Sequence, residues 1–120
     1  MMKTIRIQPD GTASIKEIYD FKVLNAHFNG LVEIVTSPRL PNPFCMAVDE
    51  EGKLKGLPQN IIGSWIYGCD KHGEIIVGDV FLLKRKKDMD GCDLVGLSIE
   101  DIHHLARRFK LALAPVSDDT

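Results

Sequence analysis

The chain has 120 residues, 44% of them hydrophobic and 27% charged, a globular balance that excludes a disordered acidic tail or a low-complexity linker. One compact domain follows from the length, which buries about two-thirds of the surface exposed when unfolded and so needs no metal or disulfide staple. Fifteen Lys and Arg against 17 Asp and Glu give a net charge of −2, split as 7 against 7 in residues 1–60 and 8 against 10 in residues 61–120, so neither half is the basic module whose counterion release drives nucleic-acid binding.

Ile5, Ile7 and Ile15 alternate with polar residues around Gln8-Pro9-Asp10-Gly11, which predicts a hairpin with strands at 2–8 and 13–18. Asp20 is the expected cap of a short helix at 20–29, with Phe21, Leu24 and Phe28 on one face and Gly30 as its left-handed end. Residues 31–35 read as a strand. Pro38, Pro41 and Pro43 then stop ladder hydrogen bonding and mark a loop within the domain. Residues 44–48 read as another strand, followed by the acidic turn Asp49-Glu50-Glu51-Gly52. Asn60 is an N-cap for a helix at 61–67 ended by Gly68, with Gly63 a local weakness. Ile75 to Leu83 is apolar on both faces and reads as a central strand interrupted by Asp79. Lys84, Arg85, Lys86 and Lys87, followed at once by Asp88, Asp90 and Asp93, read as a solvated loop face. Ser98-Ile99-Glu100-Asp101 is a capping sequence for a helix at 98–110 with Ile99, Ile102, Leu105 and Phe109 on its apolar face. The predicted domain covers 1–115, and 116–120 is an expected frayed tail.

Cys45, Cys69 and Cys92 are an odd number without a C-x-x-C pair, which argues against a disulfide framework and for a reducing, cytoplasmic setting. Apolar runs such as Val80 to Leu83 are far below the ~18 residues of a membrane span, and the polar N-terminal residues do not read as a signal peptide. Cys69 and His72 have a metal-like spacing, but adjacent His103 and His104 point about 100° apart on a helix, so no metal site is expected. Asp88 to Asp93 resembles a calcium loop superficially, with its glycine at the fourth place and Ile99 at the twelfth, which excludes it. No nucleophile elbow or phosphate-cradling glycine loop is present, and no cofactor is expected.

Asp79 is the residue with most chemical interest, because a carboxylate in an apolar segment must be paired or exposed. Lys55 and the 56–60 loop amides are the expected donors, and its structural role would be to tie down the Gly56–Asn60 turn. Its functional role would be to line a pocket with Gly56, Leu57, Pro58 and Asn60. Asp49 beside Glu50 and Glu51 reads as solvated, with acid–base pairing the alternative. Trp65 and Tyr67 serve either the core or an aromatic contact with a partner.

Met2 to Ile7, Met46 to Asn60 (with Asp49-Glu50-Glu51-Gly52 and Gly56-Leu57-Pro58-Gln59-Asn60), Ile76-Val77-Gly78-Asp79-Val80 and Leu97 to Asp101, in that order, resemble the domain of unknown function 3846 family. The resemblance covers roughly residues 2–105. It implies a small protein of the kind encoded by bacteria, phages and mobile elements, and it brings no catalytic residues.

The expected fold is α+β, with a mixed, mainly antiparallel sheet of about five strands and two or three short helices over one face. The expected function is a non-catalytic intracellular binding or accessory protein, associated with a phage or mobile element and acting on a host protein. Alternatives are a small-molecule or nucleotide-binding domain with a pocket at the Gly56–Asn60 turn and Asp79, and a small acid–base enzyme using Asp79 or His103. Candidate binding residues are Asp49, Gly56, Leu57, Pro58, Asn60, Trp65 and Asp79; no membrane or nucleic-acid partner is expected.

Overall fold

The structure is a computed structural model and describes residues 1–88 and 91–114. The Pro-Asp-Gly turn closes as its sequence requires: Gly11 takes a φ of +92°, and the Asp10 carboxylate accepts from the Thr12 amide at 2.9 Å. It joins β1 (Met2–Ile7) to β2 (Ala13–Ile18), paired antiparallel from Met2 opposite Ile18 to Ile7 opposite Ala13. The next element, α1 (Lys22–Phe28), follows Phe21, which already has right-handed helical angles, and the Asp20 carboxylate accepts from the Lys22 amide at 2.9 Å, the cap expected at the head of the helix. Its left-handed end is Asn29 at φ +53° and not Gly30; asparagine tolerates that conformation.

β3 (Val32–Val35), β4 (Phe44–Asp49), α2 (Ile61–Tyr67) and the single turn α3 (Cys69–His72) follow. β5 (Val80–Asp88) begins five residues later than the predicted strand. Gly78 turns the chain at φ +76°, which leaves Asp79 outside the ladder. At its other end β5 runs through Lys84 to Lys87, which form strand and not loop, and pairs with β6 (Gly91–Val95) with Lys86 opposite Asp93. A hairpin of charged residues carries little apolar periodicity, so it reads as loop from sequence. Then come α4 (Ile99–Arg108) and the two-residue β7 (Leu113–Ala114). The expected tail lies outside the described residues.

The sheet runs β3-β4-β5-β1-β2-β7, with β6 also pairing β5; seven strands replace the expected five. Every pair is antiparallel except β2 with β7. β4 and β5 are central, and all six residues of β4 are buried, because helices cover both faces of the sheet and not one. Met46, Val48, Val80 and Leu82 join Ile66 of α2 and Ile102 and Leu105 of α4 in one cluster. Cys45, Ala47, Phe81 and Leu83 join Leu24 and Phe28 of α1 in the other. Each Val, Leu, Ile, Met or Phe side chain so buried contributes roughly 1.5–3 kcal/mol. Burial pushes the Cys45 thiol up to about 11, so it behaves as an apolar core group.

Local caps fix the helices on the second face. Asn60 accepts from the Gly63 amide at 2.8 Å and Gly68 closes α2 in the left-handed conformation. Ser98 and Asp101 form a reciprocal capping box on α4, and Asp101 also takes Lys84 at 2.6 Å. Gly63 is required by space: a Cβ there would meet Val80 Cγ2 at 2.8 Å and Asn60 Oδ1 at 3.1 Å. Ala gains about 1 kcal/mol of helix propensity over Gly, but overpacking a fixed strand costs about 1–3 kcal/mol. Gly63→Ala is therefore expected to lower stability by up to about 2 kcal/mol, read as an earlier urea midpoint; a later midpoint would show that Val80 has room to move.

Candidate functional site

The bend at 56–60 and the turn at 77–79 are one spatial unit. The Gly78 amide donates to the Pro58 carbonyl at 2.8 Å, the Asn60 amide donates to the Ile76 carbonyl at 2.9 Å, and Gln59 bridges Val77. The Asn60 side chain closes the unit. Its Nδ2 donates to the Ile7 and Gly78 carbonyls, both at 2.9 Å, while its oxygen caps α2. Asn60 is fully buried; its polar atoms serve the fold and not a pocket, and it performs the tie expected of Asp79. Leu57 lies against the Gly78 turn, where a Cβ on Gly78 would meet Leu57 Cδ1 at 2.8 Å. Gly56, at φ +69° with open space around it, supplies the turn alone.

Asp79 emerges from this turn on the α1 side. Its donors are Arg6 and His27, not Lys55 or the loop amides. Arg6 donates to Asp79 Oδ2 through Nε at 3.0 Å and Nη2 at 2.7 Å, and His27 Nε2 lies 2.8 Å from the same oxygen. Burial pushes the Asp79 carboxyl upward, but the hydrogen bonds from His27 and Arg6 outweigh it and hold the group below its ordinary value. An ionised carboxylate at this distance requires the hydrogen on His27 Nε2, which fixes the ring and leaves Nδ1 as its second polar atom. The ring also meets Phe28 and Phe81 edge-on, with centroids 5.3 and 5.1 Å away.

Lys55 serves another acid. Its Nζ is 2.8 Å from Asp49 Oδ2 and donates to the Phe28 carbonyl at 2.6 Å, at the C-terminal end of α1. A cation there is favoured by the helix dipole. Asp49 is not solvated: its side chain is 2% exposed and also accepts from the Glu51 amide. Glu50 and Glu51 are exposed.

These elements line an open pocket of about 370 Å³. Pro9, Phe28, Leu57 and Pro58 supply its apolar walls, and His27, Asp79, Asp49 and Lys55 its ionisable groups. A second concavity of about 480 Å³ between α1 and β2 shares His27 and is lined further by Arg6, Lys16 and Tyr19. The Arg6–Asp79–His27 cluster is the ridge between the two. The pocket thus brings together Asp49, Leu57, Pro58 and Asp79 from the sequence candidates, and adds His27, Phe28, Pro9 and Gly78, none of which is a site candidate in the sequence; Arg6 reaches it only through its hydrogen bonds to Asp79.

Trp65 sits elsewhere, on α2 over the opposite face. It is 48% exposed and belongs to neither core cluster, whereas Tyr67 packs on the core. His103 is exposed on α4. Cys69 and His72 share one exposed helical turn, where His72 accepts from the Glu74 amide, and among the described residues no group of three or more His, Cys, Asp and Glu is arranged to hold a metal ion. No helix among them is long and apolar enough to cross a membrane.

A family model described as "Domain of unknown function (DUF3846)" matches residues 2–110. No curated protein matches the chain, and no solved structure does.

Proposed function

We propose that this chain, which belongs to the DUF3846 family, is a non-catalytic small-molecule-binding domain whose ligand sits between the α1 end and the Gly56–Asn60 bend. The observation that carries this reading is the pocket beside Asp79, about 370 Å³ with apolar walls and a few fixed polar groups, the size and lining that small ligands use. Asp79, braced by Arg6, and His27 supply hydrogen-bonding groups whose orientation needs no ligand to set it, which lowers the ordering cost of binding. Binding of nucleosides, nucleotides or amino acids is expected to shift the backbone NMR signals of His27, Leu57, Gly78 and Asp79 together. Leu57→Glu, which places a charge on an apolar wall, is expected to abolish those shifts. A panel of these three classes that leaves all four signals unmoved would count against the reading.

A second reading is an accessory protein, associated with a phage or mobile element, that acts by contacting a host protein. What supports it is the half-exposed Trp65 on the face away from the pocket, since tryptophan dominates the binding energy of protein interfaces far more often than its abundance predicts. An acid–base enzyme has the His27–Asp79 pair in its favour, but Asp79 Oδ2 already takes contacts from Arg6 and His27.

A further inference from the structure

We infer that the Trp65 surface is a docking site for an acidic segment of a partner protein with an apolar anchor. The inference rests on the second of the two readings above and gives it a location and a partner chemistry. Trp65 and Ile61 lie one turn apart on α2 and therefore on the same helix face; Ile61 is 74% exposed. Phe109, just past α4, meets the indole edge-on with centroids 6.2 Å apart. Three large apolar side chains from two elements thus form one surface.

The surface is held rigid. The Arg39 guanidinium lies 4.4 Å from the indole centroid, donates to the Trp65 carbonyl at 2.7 Å and forks onto both Asp70 oxygens at 2.5 and 2.6 Å. Ser37 of the same proline-rich loop donates to the Ile66 carbonyl. Arg108 donates to the Arg39 carbonyl at 2.8 Å and its guanidinium carbon stands 5.8 Å from the Phe109 ring. An arginine stacked on tryptophan and immobilised before binding is the composition and the preorganisation that interface hot spots use.

Charge selects the occupant. Arg39 stands against Trp65 and Arg108 against Phe109, and the next residue after Phe109 is the exposed Lys110. Asp70 is the acid in contact, and Arg39 occupies both its oxygens. The local balance is cationic on a chain of net charge −2. Like charge repels and opposite charge steers, so the complementary partner is an acidic segment that places one apolar side chain against Trp65.

Trp65 is the sole tryptophan of the chain, so its emission reports on this surface. The test titrates the full chain with a short synthetic peptide of Glu and Asp around a Leu-Phe pair, and with the same peptide carrying Lys for each acid. The expected result is a saturable blue shift with the acidic peptide, with affinity about tenfold weaker for the Lys peptide and for Arg108→Gln. Ile61→Ser, at an exposed position, should weaken it similarly while leaving the urea midpoint in place. Equal binding of both peptides overturns the acidic partner and leaves a protein contact standing. A response to neither peptide overturns both. A shift that grows with protein concentration alone assigns the surface to a second copy, and one that appears only with phosphatidylserine vesicles or single-stranded DNA assigns it to those; each overturns the inference.

Discussion

Asn60→Ala is expected to cost about 3–5 kcal/mol, the largest effect of any single substitution considered. The side chain makes three hydrogen bonds in a fully buried place, to the Ile7 and Gly78 carbonyls and from the Gly63 amide. Loss of the cap costs about 1 kcal/mol, and each of the two carbonyls left without this donor costs about 1–2 kcal/mol more. Domains of this size have only about 5–15 kcal/mol in total, so the variant should unfold at much lower urea by circular dichroism. Asn60→Asp keeps the cap but turns both donors into an acceptor facing two carbonyl oxygens, and should be no better. A loss below about 1 kcal/mol for the alanine variant would show that water enters and replaces the amide.

Asp79→Asn is the second large effect, about 2 kcal/mol, because it leaves the half-buried Arg6 guanidinium without its counter-charge. This loss depends on pH with a definite sign. Asp79 has a folded-state pKa below its unfolded value, so its ionised form stabilises the fold above the unfolded pKa of about 3.9 and the contribution disappears as pH falls through the folded value. The gap between the parent chain and Asp79→Asn in urea should be full at neutral pH and close at pH well below 3.9. A gap that persists undiminished in acid would mean that shape, and not charge, holds Asp79 in place.

The elements legible in the sequence are those set by neighbours along the chain. The hairpin turn at Asp10-Gly11, the Asn60 cap, the Gly68 stop and the Ser98 capping box all depend on residues within a few positions, and the structure places each as read. The partners of Asp79 are another matter. Arg6 and His27 are 73 and 52 residues away, and local periodicity carries nothing over that distance. The one route to Arg6 was register: once β1 is laid antiparallel on β5, Arg6 falls opposite Phe81, two residues from Asp79. His27 gave only the weak signal of a polar residue wedged beside Phe28 on a short amphipathic helix. Lys55 reads as a donor to Asp79, but the acid it meets is Asp49, which reads as solvated because it heads a run of three carboxylates. The hairpin of β5 and β6 is illegible for the converse reason: its facing segments are rich in charge and lack the alternation of apolar and polar residues that marks a strand.

The helices sit on opposite faces of the sheet, α1 on one and α2 with α4 on the other. The Asp79 pocket and the Trp65 surface are therefore back to back, with β5 in the layer that separates them. Two molecules seated at these places would not collide, and neither would need to leave for the other to arrive. Were both places occupied, the two molecules would stand on one chain with only the sheet between them.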